Sequence, residues 1–111
     1  MSTSAEFTDY VLDQLAPIGV ILTSRMFGGV LLKVDNKQLG VIIADVLYFK
    51  AKEPELQAQF KTMDSEQFSY VRKDSKQPVV IKNWWSVPEE ILESQEDIIA
   101  LSYDILLQGS R

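Results

Sequence analysis

Neither cysteine nor histidine occurs in the 111 residues. Without cysteine there is no disulfide framework, no thiolate metal site and no thiol nucleophile. Without histidine the commonest general base and commonest metal ligand near neutral pH are gone. The N-terminal Met1-Ser2-Thr3-Ser4-Ala5-Glu6 carries no basic residue and no apolar segment, which excludes a signal peptide. No apolar run approaches the roughly 20 residues of a membrane span, so a cytoplasmic protein without membrane attachment is expected. Basic residues are also in deficit, 11 against 16 acidic, for a net charge of −5. Most of the acids lie toward the two ends, and the segment 25–85 is mildly basic. A chain of pI near 4.6 does not present the positive field that a phosphate backbone requires, so direct nucleic-acid binding is not expected.

What is present suits one globular domain. An apolar fraction of 46% can form a core in a chain this long without staples. Thr3 and Glu6 stand in capping-box spacing, and Phe7, Val11 and Leu15 recur every four residues. A helix over 5–16 follows, stopped at Pro17. From Val30 the pattern alternates, with Val30, Leu32 and Val34 on one side. Asp35-Asn36-Lys37 reads as a turn, Leu39, Val41 and Ile43 as the alternating side of a second strand, Asp45 as another turn, and Val46–Lys50 as a third strand. Leu31, Ile42 and Leu47 make the second face of this sheet apolar too, so a helix or another subunit is expected to cover it.

Pro54 opens a short helix over 54–61. Phe68–Arg72 and Pro78–Trp85 read as a second hairpin around a turn at Lys73–Gln77. Ser86 to Glu89 and Ser94 to Asp97 repeat the capping spacing and predict helices over 88–93 and 95–107, with Gly109 as a C-terminal cap. The predicted fold class is α+β, an antiparallel sheet with packed helices in the order α-β(3)-α-β(2)-α.

The least generic stretch is Arg25-Met26-Phe27-Gly28-Gly29. A glycine pair can cradle phosphate between a strand and a helix N-terminus, but here the order is helix, loop, strand. Positive φ, a bulge or close backbone packing is the simpler reading of Gly28 and Gly29. Arg25 is expected to pin a helix to the sheet through a carboxylate. Trp84 and Trp85, adjacent on a strand, should point to opposite faces, which would leave one indole able to anchor a partner. The carboxylates sit in first turns of helices and in tight turns, where dipole and capping explain them. No catalytic, cofactor or metal site is read from the residues.

These pieces together carry a family resemblance. Tyr10–Leu15, Arg25-Met26-Phe27-Gly28-Gly29, Ile43–Lys50, Phe68-Ser69-Tyr70 and Trp84–Glu90 resemble, in order, the N-terminal domain of the TfoX (Sxy) family of competence regulators. The resemblance covers almost the whole chain. It implies a fold similar to type III secretion chaperones and a regulatory, protein-binding role linked to transcription of competence genes, with no catalytic residues. Many such regulators carry a second helical domain, whereas this sequence ends at Arg111, so a stand-alone N-terminal domain is expected. A homodimer with an unidentified protein partner is the functional expectation. The alternatives are a ligand or enzyme pocket near Gly28 and Gly29, where Arg25 and Lys50 converge, or nucleic-acid binding.

Overall fold

The computed structural model describes residues 4–26, 28–71 and 78–108. Helix α1 spans Ala5–Leu15. Its cap is Ser4, not the expected Thr3, which lies outside the described residues. The Ser4 hydroxyl accepts from the Phe7 amide at 3.2 Å. The Ser4 amide in turn donates to Asp45 at 2.8 Å, tying the start of α1 to a sheet turn. Val11 and Leu15 are fully buried. A short 3₁₀ turn at Ala16–Ile18, with Pro17 inside it, ends the helix, and Gly19 reverses the chain at φ 119°.

Six strands then form one antiparallel sheet: β1 Leu22–Met26, β2 Gly29–Val34, β3 Lys37–Ile43, β4 Val46–Lys50, β5 Gln67–Val71 and β6 Pro78–Ser86, in the order β1-β2-β3-β4-β6-β5. The α+β class and the meander are as expected, but there are four strands before the second helix rather than three. β1 escaped notice because its residues are almost all exposed, which leaves no apolar alternation to read. The two-residue turns have φ of 49° and 65° at Asp35 and Asn36, and of 50° and 60° at Ala44 and Asp45. Such left-handed pairs match the twist of the flanking strands.

A bulge changes which side chains share a face. The β2–β3 register shifts between Leu32 and Lys33, so that Leu32 faces Gly40 and Lys33 faces Gln38. Leu39 is the extra residue. It therefore joins Ile42 in the main core, and Val41 and Ile43 lie on the opposite face. Strict alternation had grouped Leu39, Val41 and Ile43 together.

Helices α2 Pro54–Thr62, α3 Glu89–Glu93 and α4 Gln95–Leu106 complete the described elements. With α1, α2, α3 and α4 supply Val11, Leu15, Leu56, Phe60, Leu92, Ile98, Leu101 and Ile105 to the main core. Each such aliphatic side chain stabilises the fold by about 1.5–3 kcal/mol through burial. Ser94 caps α4 as expected, accepting from the Asp97 amide at 3.4 Å. Ser86 does not cap α3. It belongs to β6, and its hydroxyl accepts from the Glu66 amide at 2.9 Å. The turn at Lys73–Gln77 and Gly109 lie outside the described residues.

The second face of the sheet carries its own buried cluster, to which no described helix contributes. Leu31, Val41, Ile43, Phe68 and Trp84 form its core, flanked by Met26, Tyr48, Tyr70 and Ile81. These residues come from all six strands and pack on one another. Val41 is 0% exposed there. The expected helical cover is therefore absent among the described residues.

Candidate functional site

The predicted site residues fall into separate structural roles. Gly28 has φ 74°, in the left-handed region that glycine adopts without a Cβ clash. Gly29 sits where a Cβ would lie 1.9 Å from the Ile42 carbonyl oxygen, so the β2–β3 ladder closes only over glycine. Both functions were among those read from the sequence. Phe27 lies outside the described residues. Arg25 is exposed on β1, paired in register with Val30, and no carboxylate partners it among the described residues. It is therefore not a pin between helix and sheet.

The two indoles do point to opposite faces, but both are buried, each 4% exposed. Trp85 enters the main core and stacks on Phe60 at 6.3 Å between ring centroids. Its Nε1 is enclosed with no hydrogen-bond partner. Trp84 enters the second cluster beneath the Lys50 ammonium, 5.6 Å from the ring centroid. Neither offers the open indole face expected of a partner anchor.

The cavity with chemical character lies elsewhere. It has a volume of about 500 Å³ and is bordered by Lys33, Asn36, Lys37, Gln38, Lys50, Lys52, Ile105, Leu106 and Gln108. Three elements make it. The β2–β3 hairpin presents Lys33, Asn36, Lys37 and Gln38. The end of β4 presents Lys50, followed by Lys52. The last turn of α4 closes the third side. Lys50 belongs to the expected ligand pocket, but Arg25, Gly28 and Gly29 do not line this cavity.

Polar contacts hold the walls in place. The side chain of Gln108 donates to the carbonyls of Lys50 at 2.7 Å and Ile105 at 2.9 Å. Its oxygen accepts from the amides of Lys52 at 2.6 Å and Glu53 at 3.0 Å. One side chain thus joins the end of α4 to the segment leading into α2. Lys37 donates to the Leu106 carbonyl at 3.1 Å, a cation at a helix C-terminus, where the dipole favours it. Lys50 donates to the Gln38 side-chain oxygen. Partial burial, and then the charge of Lys52, hold the Lys50 ammonium below the ordinary lysine value. On the same face, burial and then Glu66 push the Tyr48 hydroxyl up.

No sequence motif marks this cleft, because its four lysines fall in pairs separated by the length of two strands. Only the alternation of a half-buried lysine with apolar residues in Val46-Leu47-Tyr48-Phe49-Lys50 could have drawn attention to Lys50. Among the described residues no group of three or more histidine, cysteine, aspartate or glutamate side chains is placed to hold a metal ion. No described helix is long and apolar enough to cross a membrane.

No curated protein matches the chain. The family model of the TfoX N-terminal domain matches residues 13–104. That span runs from α1 through nearly all of α4 and includes Arg25 to Gly29, both tryptophans and Lys50. The chain therefore belongs to the TfoX N-terminal domain family.

Proposed function

We propose that this chain is a non-enzymatic, regulatory protein-interaction domain of the cytoplasm, and that β1 is its docking edge, on which a second copy of the chain pairs. The observation that carries this reading is the state of β1. It ends the sheet, pairs among the described strands with β2 alone, and shows four of its five residues to solvent. Leu22 is 61% exposed, and the neighbouring Val20 is 79% exposed. The run from Val20 to Met26 contains no proline and one charge, Arg25. Sheet edges are ordinarily blunted by proline, several charges or a covering element, since an open row of amides and carbonyls templates another strand. Strand addition would continue the antiparallel sheet and cover the apolar side chains of β1. Membership of a family of competence regulators supports the regulatory part of the reading.

The test is sedimentation equilibrium on the wild type and on Leu22→Lys, with circular dichroism as the control for folding. The expected result is a wild-type dimer that Leu22→Lys converts to monomer without loss of secondary structure. A wild type that is monomeric at every concentration would overturn the dimer. Equal retention by wild type and variant of partner proteins from the native cytoplasm would overturn β1 as the docking edge.

A further inference from the structure

We propose that the cleft between the β2–β3 turn, the end of β4 and the last turn of α4 binds a small phosphate-bearing polyanion, held by Lys33, Lys50 and Lys52. This is independent of the docking edge at β1 and uses no residue of it.

The first argument is charge. The chain has 16 acidic and 11 basic residues, yet among the described residues the cavity is bordered by four lysines and no carboxylate. A solvated surface of this composition would mix both signs. Lys37 has a structural task at the end of α4. The other three have no carboxylate partner among the described residues. Like charges held together destabilise the empty site, and an anion between them removes that cost.

The second argument is preorganisation. Lys50 does not wave freely in solvent. Its ammonium is placed over the Trp84 ring and bonded to Gln38, so less side-chain freedom is lost when an anion arrives. Gln108 fixes the backbone of Lys50 and Lys52 against α4, which keeps these two cations on one wall.

The third argument is shape. A concave volume of about 500 Å³ falls in the range of small-ligand sites and accommodates a molecule up to mononucleotide size. A polynucleotide would need an extended basic groove, and a chain of pI near 4.6 opposes one. Lysine ammoniums act as compact point charges toward phosphate oxygens, and Asn36 at the rim adds an amide.

The test is a titration of the full chain with inorganic pyrophosphate at constant ionic strength, followed by amide chemical shifts and by calorimetry. Citrate serves as the carboxylate arm. The expected result is saturable binding of pyrophosphate, with shifts confined to residues 33, 36–38, 50, 52 and 108, and with weaker binding of citrate. Lys50→Gln should weaken pyrophosphate binding about tenfold or more, as loss of one charged hydrogen-bond donor implies. Lys33→Gln with Lys52→Gln should do the same at the rim, where the fold is not at stake. Lys61→Gln, a lysine that does not border the cleft, should change nothing. Non-saturable shifts spread over all lysines would overturn the site. Equal binding of citrate would overturn its phosphate character. Shifts at these residues on concentrating the protein without added anion would mean that an acidic helix of a second copy fills the cleft, which also overturns the proposal.

Discussion

Replacing Gly29 by alanine would place a methyl carbon 1.9 Å from the Ile42 carbonyl oxygen, 2.9 Å from its carbon and 3.0 Å from a side-chain carbon of Ile43. A carbon and a carbonyl oxygen rest at about 3.3 Å or more, so β2 must retreat from β3 by over about 1 Å. The obstacle is backbone, which no rotamer change can clear. The neighbouring pair, Val30 with Ile42, lies in the same ladder and would open with it. Loss of two ladder hydrogen bonds costs about 1 kcal/mol each, and partial exposure of Ile43 adds to this, for a total of about 2–4 kcal/mol. Gly28→Ala is the internal comparison. Its left-handed φ of 74° costs about 1–2 kcal/mol. Urea unfolding followed by tryptophan fluorescence reads both, because the two indoles are buried on opposite faces of the sheet. With a slope of about 1.5–2 kcal/mol per molar, Gly29→Ala should lower the midpoint by about 1–2 M. Gly28→Asn should cost less than Gly28→Ala, since asparagine tolerates the left-handed region. If Gly29→Ala costs no more than Gly28→Ala, the close approach of β2 and β3 is not what requires the second glycine.

Two further outcomes follow from the cleft and its surroundings. Gln108→Ala removes four hydrogen bonds and strips partners from the amides of Lys52 and Glu53, so a loss of about 2–3 kcal/mol is expected, a fall in Tm of roughly 10 °C by calorimetry; no change in Tm would show that α4 is not anchored there. The alkaline stability profile carries two opposing contributions. Lys50 releases its proton in the folded state below the ordinary value of 10.5, so the unfolded chain binds more protons in the interval up to 10.5 and stability rises with pH there. Tyr48 keeps its proton in the folded state above the ordinary value of 10.0, so beyond 10.0 the folded chain binds more and stability falls. Urea midpoints measured against pH should therefore lose the rise in Lys50→Gln and lose the fall in Tyr48→Phe, and profiles parallel to the wild type would refute both assignments.

Most elements were legible because local chemistry decides them. The stripe Phe7-Val11-Leu15, the proline at 17 and the serine at 94 act within one or two helical turns. The left-handed turns at Asp35-Asn36 and Ala44-Asp45 are likewise local. β1 was not legible. An exposed edge strand has no buried face, so its residues show no period, although it pairs with β2 only a few residues along the chain. Leu39 was misplaced for a related reason. A bulge changes the parity of a strand without altering the composition around it. Arg25 was assigned a partner because a lone arginine beside glycines invites one, but strand register places it on an exposed edge.

Composition alone excluded thiol and imidazole chemistry, since a residue type that is absent cannot be supplied by folding. The ordered residues from Tyr10 to Glu90 carried the resemblance to the TfoX N-terminal domain, and the family match to residues 13–104 agrees with it. The tertiary structure decided how the sheet is covered. Side chains from all six strands bury Trp84 and Val41 on the second face with no described helix over them, and no pattern along the chain encodes that meeting. It also decided where the charge gathers. Lys33, Lys37, Lys50 and Lys52 are unremarkable in sequence, and they become one cleft because the β2–β3 turn, the end of β4 and the end of α4 meet at the same corner of the sheet.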